Sequence, residues 1–168
     1  MKTRSHRIRR IAVAACTAPL LLAGAGAAGA VTTAAYPAAQ GVVQQASASE
    51  ILSLVNAERE KAGCQPLAEN AQLTQAAQAH AEDMAKNNLT GHTGSDGSTV
   101  PQRIEKAGYT WGSWGENVSG PGYDTAKAHV DGWLNSAPHK ADMLRCSYTE
   151  TGVAVSGDRA VQVFATPR

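Results

Sequence analysis

Two cysteines, Cys64 and Cys146, constrain this chain most, because they are the pair left once its N-terminus is set aside. The first ten residues carry Lys2, Arg4, Arg7, Arg9 and Arg10, an apolar run follows from Ile11 to Ala23, and small residues fill 24–30. That order predicts a secretory signal over residues 1–30, with Ala28-Gly29-Ala30 as its A-x-A cleavage site. A membrane anchor is the alternative, but the run contains Pro19 and falls short of the roughly 20 residues that span a bilayer. A lipoprotein signal is disfavoured, since most of the apolar run lies after Cys16 rather than before it. Arg9-Arg10 keeps a twin-arginine route open beside the general one. Cleavage removes Cys16 and leaves one pair in an oxidising compartment. A Cys64–Cys146 bridge closes a loop of about 80 residues, which the chain-entropy picture credits with about 4.5 kcal/mol. Two buried free thiols are the other arrangement. Neither cysteine stands in a recognisable nucleophile context.

Charge narrows the function classes. The whole chain has a formal charge of +1, but without the five basic residues at the start ten basic face fourteen acidic ones, a net of −4. A mildly acidic domain lacks the basic footprint that phosphate backbones require, so nucleic acid is not expected as a partner. Residues 31–49 are mostly Ala, Gln, Thr and Ser, broken by Pro37 and Gly41, which reads as a flexible linker. The folded domain is then 50–168, with no stable membrane anchor after cleavage.

Within it the period is first helical. Ser47-x-x-Glu50 offers a capping box for a helix over 50–62 with Ile51, Leu54, Val55 and Ala62 inward, stopped by Gly63. Asn70 caps a second helix to Asn87, whose stripe is Leu73, Ala77, His80, Ala81 and Met84. A third helix starts at 96–98 and ends at Gly108. Asp124 caps a fourth, carrying Val130, Trp133 and Leu134, and Ser136 a fifth, with Pro138 near its start and Met143 and Leu144 inward. The period then changes to two. Residues 152–155 and 160–165 predict strands around a turn at 156–159, and 109–118 a loop and a further strand. Helices first and strands mostly later make an α+β fold, an antiparallel sheet covered by helices.

Seven blocks now stand in order. They are Asn56-Ala57-Glu58-Arg59 with Gly63-Cys64-Gln65-Pro66-Leu67; Met84, His92 and Asp96-Gly97; Arg103-Ile104 and Ala107-Gly108-Tyr109; Gly115-Glu116-Asn117; Trp133-Leu134-Asn135-Ser136-Ala137-Pro138-His139; Met143-Leu144; and Gly152-Val153 with Gln162-Val163-Phe164-Ala165. The series resembles bacterial members of the CAP superfamily, the cysteine-rich secretory, antigen 5 and pathogenesis-related 1 group with its SCP-like extracellular domain. The likeness spans about residues 51–166. It implies an α-β-α sandwich with a surface cleft lined by two histidines and two acids. By motif the histidines are His92 and His139, and Glu116 is the acid of Gly-Glu-Asn. The second acid has no clear match, and Asp96 stands in for it; Asp142 departs from the Asn usual at its position.

Two neutral imidazoles beside a carboxylate suit Zn²⁺, so His92, His139 and Glu116 form a candidate metal set. Without metal, the same groups favour a protonated imidazole and acid–base chemistry near neutral pH, or simply a hydrogen-bonded network. His80 reads as a satisfied core histidine. His129 reads as a partly exposed neighbour of Trp133. Tyr109, Trp111 and Trp114 read as closing a core, with a sugar or lipid platform as the other reading. Neither a His-Glu-x-x-His zinc motif nor a Gly-x-Ser-x-Gly elbow is present. Two function classes follow: an extracellular binding module for a lipid, sterol or cell-envelope ligand, as the resemblance implies, and a metal-dependent, protease-like hydrolase using the same cleft. The residues favour the first.

Overall fold

The computed structural model describes residues 46–168. The expected signal peptide and most of the expected linker lie outside the described residues. The first helix, α1, runs Ala48–Lys61, two residues earlier than expected, and Ser47 Oγ accepts the Glu50 N–H at 3.2 Å. Gly63 ends it at φ +81°, a conformation that an L side chain resists. Two residues of the Asn-x-x-Arg block then tie α1 to the rest of the domain. Asn56 brackets the backbone of Leu67, donating to its carbonyl at 3.2 Å and accepting its N–H at 2.8 Å. Arg59 is fully buried, and its guanidinium donates to the carbonyls of Gln65, Met143, Arg145 and Tyr148. A buried charge is tolerable only when its donors are met in this way.

A two-residue strand, β1 (Ala68–Glu69), leads to α2, Ala71–Asn87. Asn70 caps α2 by accepting from Gln72 N–H and Leu73 N–H, and Asn88 closes it in the left-handed region. The expected stripe of Leu73, Ala77, His80, Ala81 and Met84 is buried throughout. The third helix, α3, is Val100–Lys106, and its cap is Thr99, whose N–H is accepted by Gln102 Oε1 at 2.9 Å. It starts later than expected because Asp96 is used instead in a turn, accepting the Ser98 N–H at 2.9 Å. Strand β2 is Trp111–Ser119, followed by α4 (Ala126–Leu134) and α5 (Ala137–Met143). The cap of α4 is Thr125, not Asp124: its hydroxyl accepts the Ala128 N–H at 3.1 Å.

Strands β3 (Glu150–Ser156) and β4 (Arg159–Pro167) complete a four-stranded sheet of order β1-β3-β4-β2. Its ladders β3–β4 and β4–β2 are antiparallel as expected, while β1 adds a short parallel edge, so the sheet is mixed. Alternation along β4 sends Val161, Val163 and Ala165 into a core with α2 and α3, and Ala160 and Phe164 into a core with α1, α4 and α5. The fold is therefore α+β in three layers. At Gly152 a side chain is impossible: a Cβ there would stand 2.0 Å from Thr74 N and 2.1 Å from the Leu73 carbonyl carbon. The bare glycine lets α2 lie directly on β3.

A disulfide joins Cys64 to Cys146. It fastens the end of α1 to the chain just after α5, beside the carbonyls that Arg59 gathers.

Candidate functional site

The site lies across β2, the edge strand opposite β1 in the sheet. Glu116 sits on the face of β2 that α2 covers, with its side chain fully buried. Three neighbours surround its carboxylate. Arg103, from α3, donates through Nη2 to Oε2 at 2.9 Å and to Oε1 at 3.2 Å. His92 Nδ1 meets Oε1 at 2.9 Å, and His80 Nε2 stands 4.0 Å from the same oxygen. The Arg103 guanidinium also donates to the carbonyls of His92 and Ser98, so one side chain fixes both the acid and the loop that presents His92.

His139 arrives from the other side of the strand, on α5. Asn117 Nδ2 donates to the His139 carbonyl at 3.0 Å, which pins α5 to β2. The two cleft rings face each other with centroids 6.4 Å apart and planes tilted by 57°. Asp142, one turn beyond His139, closes that side. Its carboxyl carbon and Oδ1 each lie 3.1 Å from where a Cβ on Gly115 would be, and the Tyr148 hydroxyl lies 2.7 Å from that point. Gly115 is small because an acid and a phenol occupy its side of the strand.

The structure therefore sets His92 against Glu116 on one side and opposite the His139 ring on the other. Asp96 is elsewhere: it is exposed, bonded within its own turn, and lines a neighbouring cavity beside Asp83. The acid whose field reaches both cleft histidines is Asp142. In the sequence Asp142 stands out only as a departure from Asn; the signal for its role is its place three residues after His139, one helical turn away. Arg103 reads in the sequence as part of a block and not as a partner for Glu116. The signal there is a cation on the inward side of a short helix, next to Ile104.

The environments push the two histidines apart. The hydrogen bond to Glu116 holds the His92 imidazole above its ordinary pKa, against the opposing effect of burial. Burial, with help from the nearby His92, holds His139 below the ordinary value. Burial raises the Asp142 carboxyl. His92 therefore keeps its proton to higher pH than His139 does, and the His139 ring, once neutral, can accept one hydrogen bond and donate another.

Zinc is a poorer match for this arrangement. Both Glu116 oxygens are engaged by Arg103, and Oε1 also by His92. Among the described residues no three His, Cys, Asp or Glu side chains converge as a metal-holding group. The set His92, His139 and Glu116 does not form an open coordination shell as it stands.

Among the described residues, the other two histidines, His80 and His129, lie inside the fold. His80 is fully buried, as expected, but only half satisfied: Nε2–H is donated to the Gly91 carbonyl at 2.9 Å, while Nδ1 has no partner. His129 is fully buried as well, where partial exposure was expected: Tyr123 stacks on its ring at 5.7 Å, and Ser119 Oγ meets Nδ1 at 2.7 Å. Trp111 packs against the α2-side core and meets Trp114 edge-on, while Trp114 remains 36% exposed.

Comparison with known proteins agrees with this architecture. The family model described as CAP, the cysteine-rich secretory protein family, matches residues 52–166. The uncharacterized membrane protein YlbC of Bacillus subtilis is 33% identical over 122 residues, covering 73% of this chain and 35% of that protein. The uncharacterized protein YkwD of the same organism is 30% identical over 104 residues, 62% of this chain and 40% of that protein. The chain thus spans well under half the length of these curated relatives. An extracellular protein of Bacillus anthracis containing an SCP domain superposes with a TM-score of 0.67 at 29% identity, covering 70% of this chain and 39% of that one. An outer surface protein of Borrelia burgdorferi shares the fold, with a TM-score of 0.66 at 22% identity over 74% of this chain and 98% of that one.

Proposed function

The chain belongs to the CAP, cysteine-rich secretory protein family, and from that premise we propose that it is a secreted binding module whose cleft takes a lipid or sterol by its polar end. The observation that carries this reading is the engagement of Glu116. An acid locked by Arg103 and His92 is poorly placed to activate water, yet well placed to hold a ring in a fixed orientation. His92 and His139 then offer a head group one donor and one ring of either role, with Asp142 behind them. Trp114, on β2 two residues before Glu116, supplies exposed apolar surface on the same strand. Amphipathic ligands need both features.

Secretion follows from the basic, apolar and small-residue order of residues 1–30. Among the described residues no helix is long and apolar enough to cross a membrane. The hydrolase reading has less support, because the cleft groups include no activated nucleophile and no open metal shell.

Displacement of a fluorescent sterol or fatty acid tests the binding reading. Wild-type protein is expected to bind the probe, and His139→Ala to weaken it several-fold. Equal binding by wild type and His139→Ala, or turnover of peptide substrates lost in Glu116→Gln, would count against it.

A further inference from the structure

The two acids beside the cleft rings differ in what they have left to offer. Glu116 has both oxygens engaged, by Arg103 and His92. The Asp142 carboxylate accepts no hydrogen bond among the described residues, and the cation paired with it, Arg145 Nη2, stands 3.7 Å from Oδ1. Arg145 is mostly exposed, so water screens that pair and it neutralises Asp142 weakly. Solvent reaches the cleft groups together: the His92 side chain is 50% exposed and that of Asp142 26%, with the His139 ring half-buried. A ligand that meets these groups displaces water and breaks no internal bond of Asp142.

The place of Asp142 is set by β2. Its carboxyl carbon and Oδ1 lie 3.1 Å from where a Cβ on Gly115 would be, so the bare glycine lets the acid rest against the strand one residue before Glu116. From there its field reaches both His92 and His139. The rings stand 6.4 Å apart between centroids, and a polar group held between them lies in the same field.

The surrounding charges cancel. Arg103 and Glu116 are locked to each other, and a proton held on His92 is offset by Asp142. An anionic end therefore meets repulsion from Asp142, and a cationic end meets repulsion from a protonated His92. The ring nitrogens make a further demand. His92 Nδ1 is taken by Glu116, which leaves Nε2, a donor when the ring is protonated and an acceptor when it is not. A neutral His139 offers one nitrogen of each kind. A hydroxyl donates and accepts, so it suits every one of these states and donates to the carboxylate as well.

We propose that Asp142 is the specificity-determining residue of the cleft and that it selects a lipid whose polar end is an uncharged hydroxyl over one ending in a carboxylate. This rests on the lipid-binding reading above and names the ligand class within it. The selection works by repelling the wrong head group as much as by welcoming the right one.

Calorimetric titration of the secreted protein with dodecanol, laurate and dodecylammonium, which share one alkyl chain, tests the proposal. Wild-type protein is expected to bind dodecanol most tightly, with laurate weaker by about two- to fivefold, the range for one partly exposed charge. Asp142→Asn keeps the shape and removes the charge. It should tighten laurate and weaken dodecylammonium, opposite signs that a merely structural change would not produce. Arg145→Gln removes the neighbouring cation and should weaken laurate further. The proposal is overturned if laurate or dodecylammonium binds the wild type as tightly as dodecanol. It is also overturned if Asp142→Asn moves the two charged probes in the same direction or leaves both unchanged. If none of the three probes binds, the lipid-binding reading itself falls; binding without the expected order sinks only the role of Asp142.

Discussion

Arg103 on α3 and Glu116 on β2 form a buried ion pair in which one guanidinium nitrogen, Nη2, reaches both carboxylate oxygens, at 2.9 and 3.2 Å. The pair fixes more than itself. Arg103 holds the His92 carbonyl while Glu116 holds the His92 ring, so the first cleft histidine is gripped at its backbone and its side chain. Removing one partner of such a pair leaves an uncompensated buried charge, which costs about 3–5 kcal/mol. Arg103→Met is therefore expected to lower unfolding stability by about that amount. Glu116→Gln should cost less, because a neutral amide remains. The Arg103→Met/Glu116→Gln double variant should recover part of the single Arg103 loss, read by urea denaturation.

Acid–base behaviour separates the two cleft rings. An unperturbed histidine titrates at about 6.5; ring-resolved NMR is expected to place His92 above that and His139 below. The His92–Glu116 bond thus contributes stability that is present below the unfolded pKa and fades as pH rises through the folded value. His139 has the opposite sign: its neutral ring favours the fold at higher pH, and the contribution fades as pH falls. Glu116→Gln should move His92 down, and His139 slightly up as the neighbouring cation weakens. Two rings titrating together in the wild type would contradict this placement.

Gly115→Ala directs a methyl toward the Tyr148 hydroxyl at 2.7 Å and the Asp142 carboxyl at 3.1 Å. Overpacking at this closeness costs about 1–3 kcal/mol. Thermal unfolding should show the loss. The Asp142 carboxyl, displaced, should also change the His139 titration.

The Cys64–Cys146 bridge spans a sequence separation of 82, for which loop-closure entropy gives about 4.5 kcal/mol. Reduction should lower the unfolding midpoint sharply. Non-reduced peptide mapping should find the two cysteines linked. Full alkylation of both in the native, non-reduced protein would contradict the bridge.

Local signals carried the helices and the long strands, because caps and periods are written over a few neighbouring residues. Asn70 and the stripe from Leu73 to Met84 are of this kind. The misplaced starts have a common cause: Asp96 and Asp124 are good caps on paper, but Thr99 and Thr125 stand where the backbone turns into the helix. Strand β1 is too short to show a period, and its parallel pairing with β3 depends on a segment some 80 positions away. His129 looks half-exposed in the sequence because nothing nearby announces that Tyr123 folds over it. In the cleft, His92, Glu116 and His139 were legible as motif positions. Their partners Arg103 and Asp142 were not, since each depends on a helix packing against β2. A motif names the residue; the tertiary contact decides what it is free to do.

Lipid extraction and mass spectrometry of the protein recovered from culture medium test the binding account most directly. Wild-type protein is predicted to carry a lipid or sterol, and the folded His92→Ala/His139→Ala variant, prepared in parallel, to have lost it. A wild-type protein free of lipid, or a double variant that retains the same lipid in the same amount, would contradict the account.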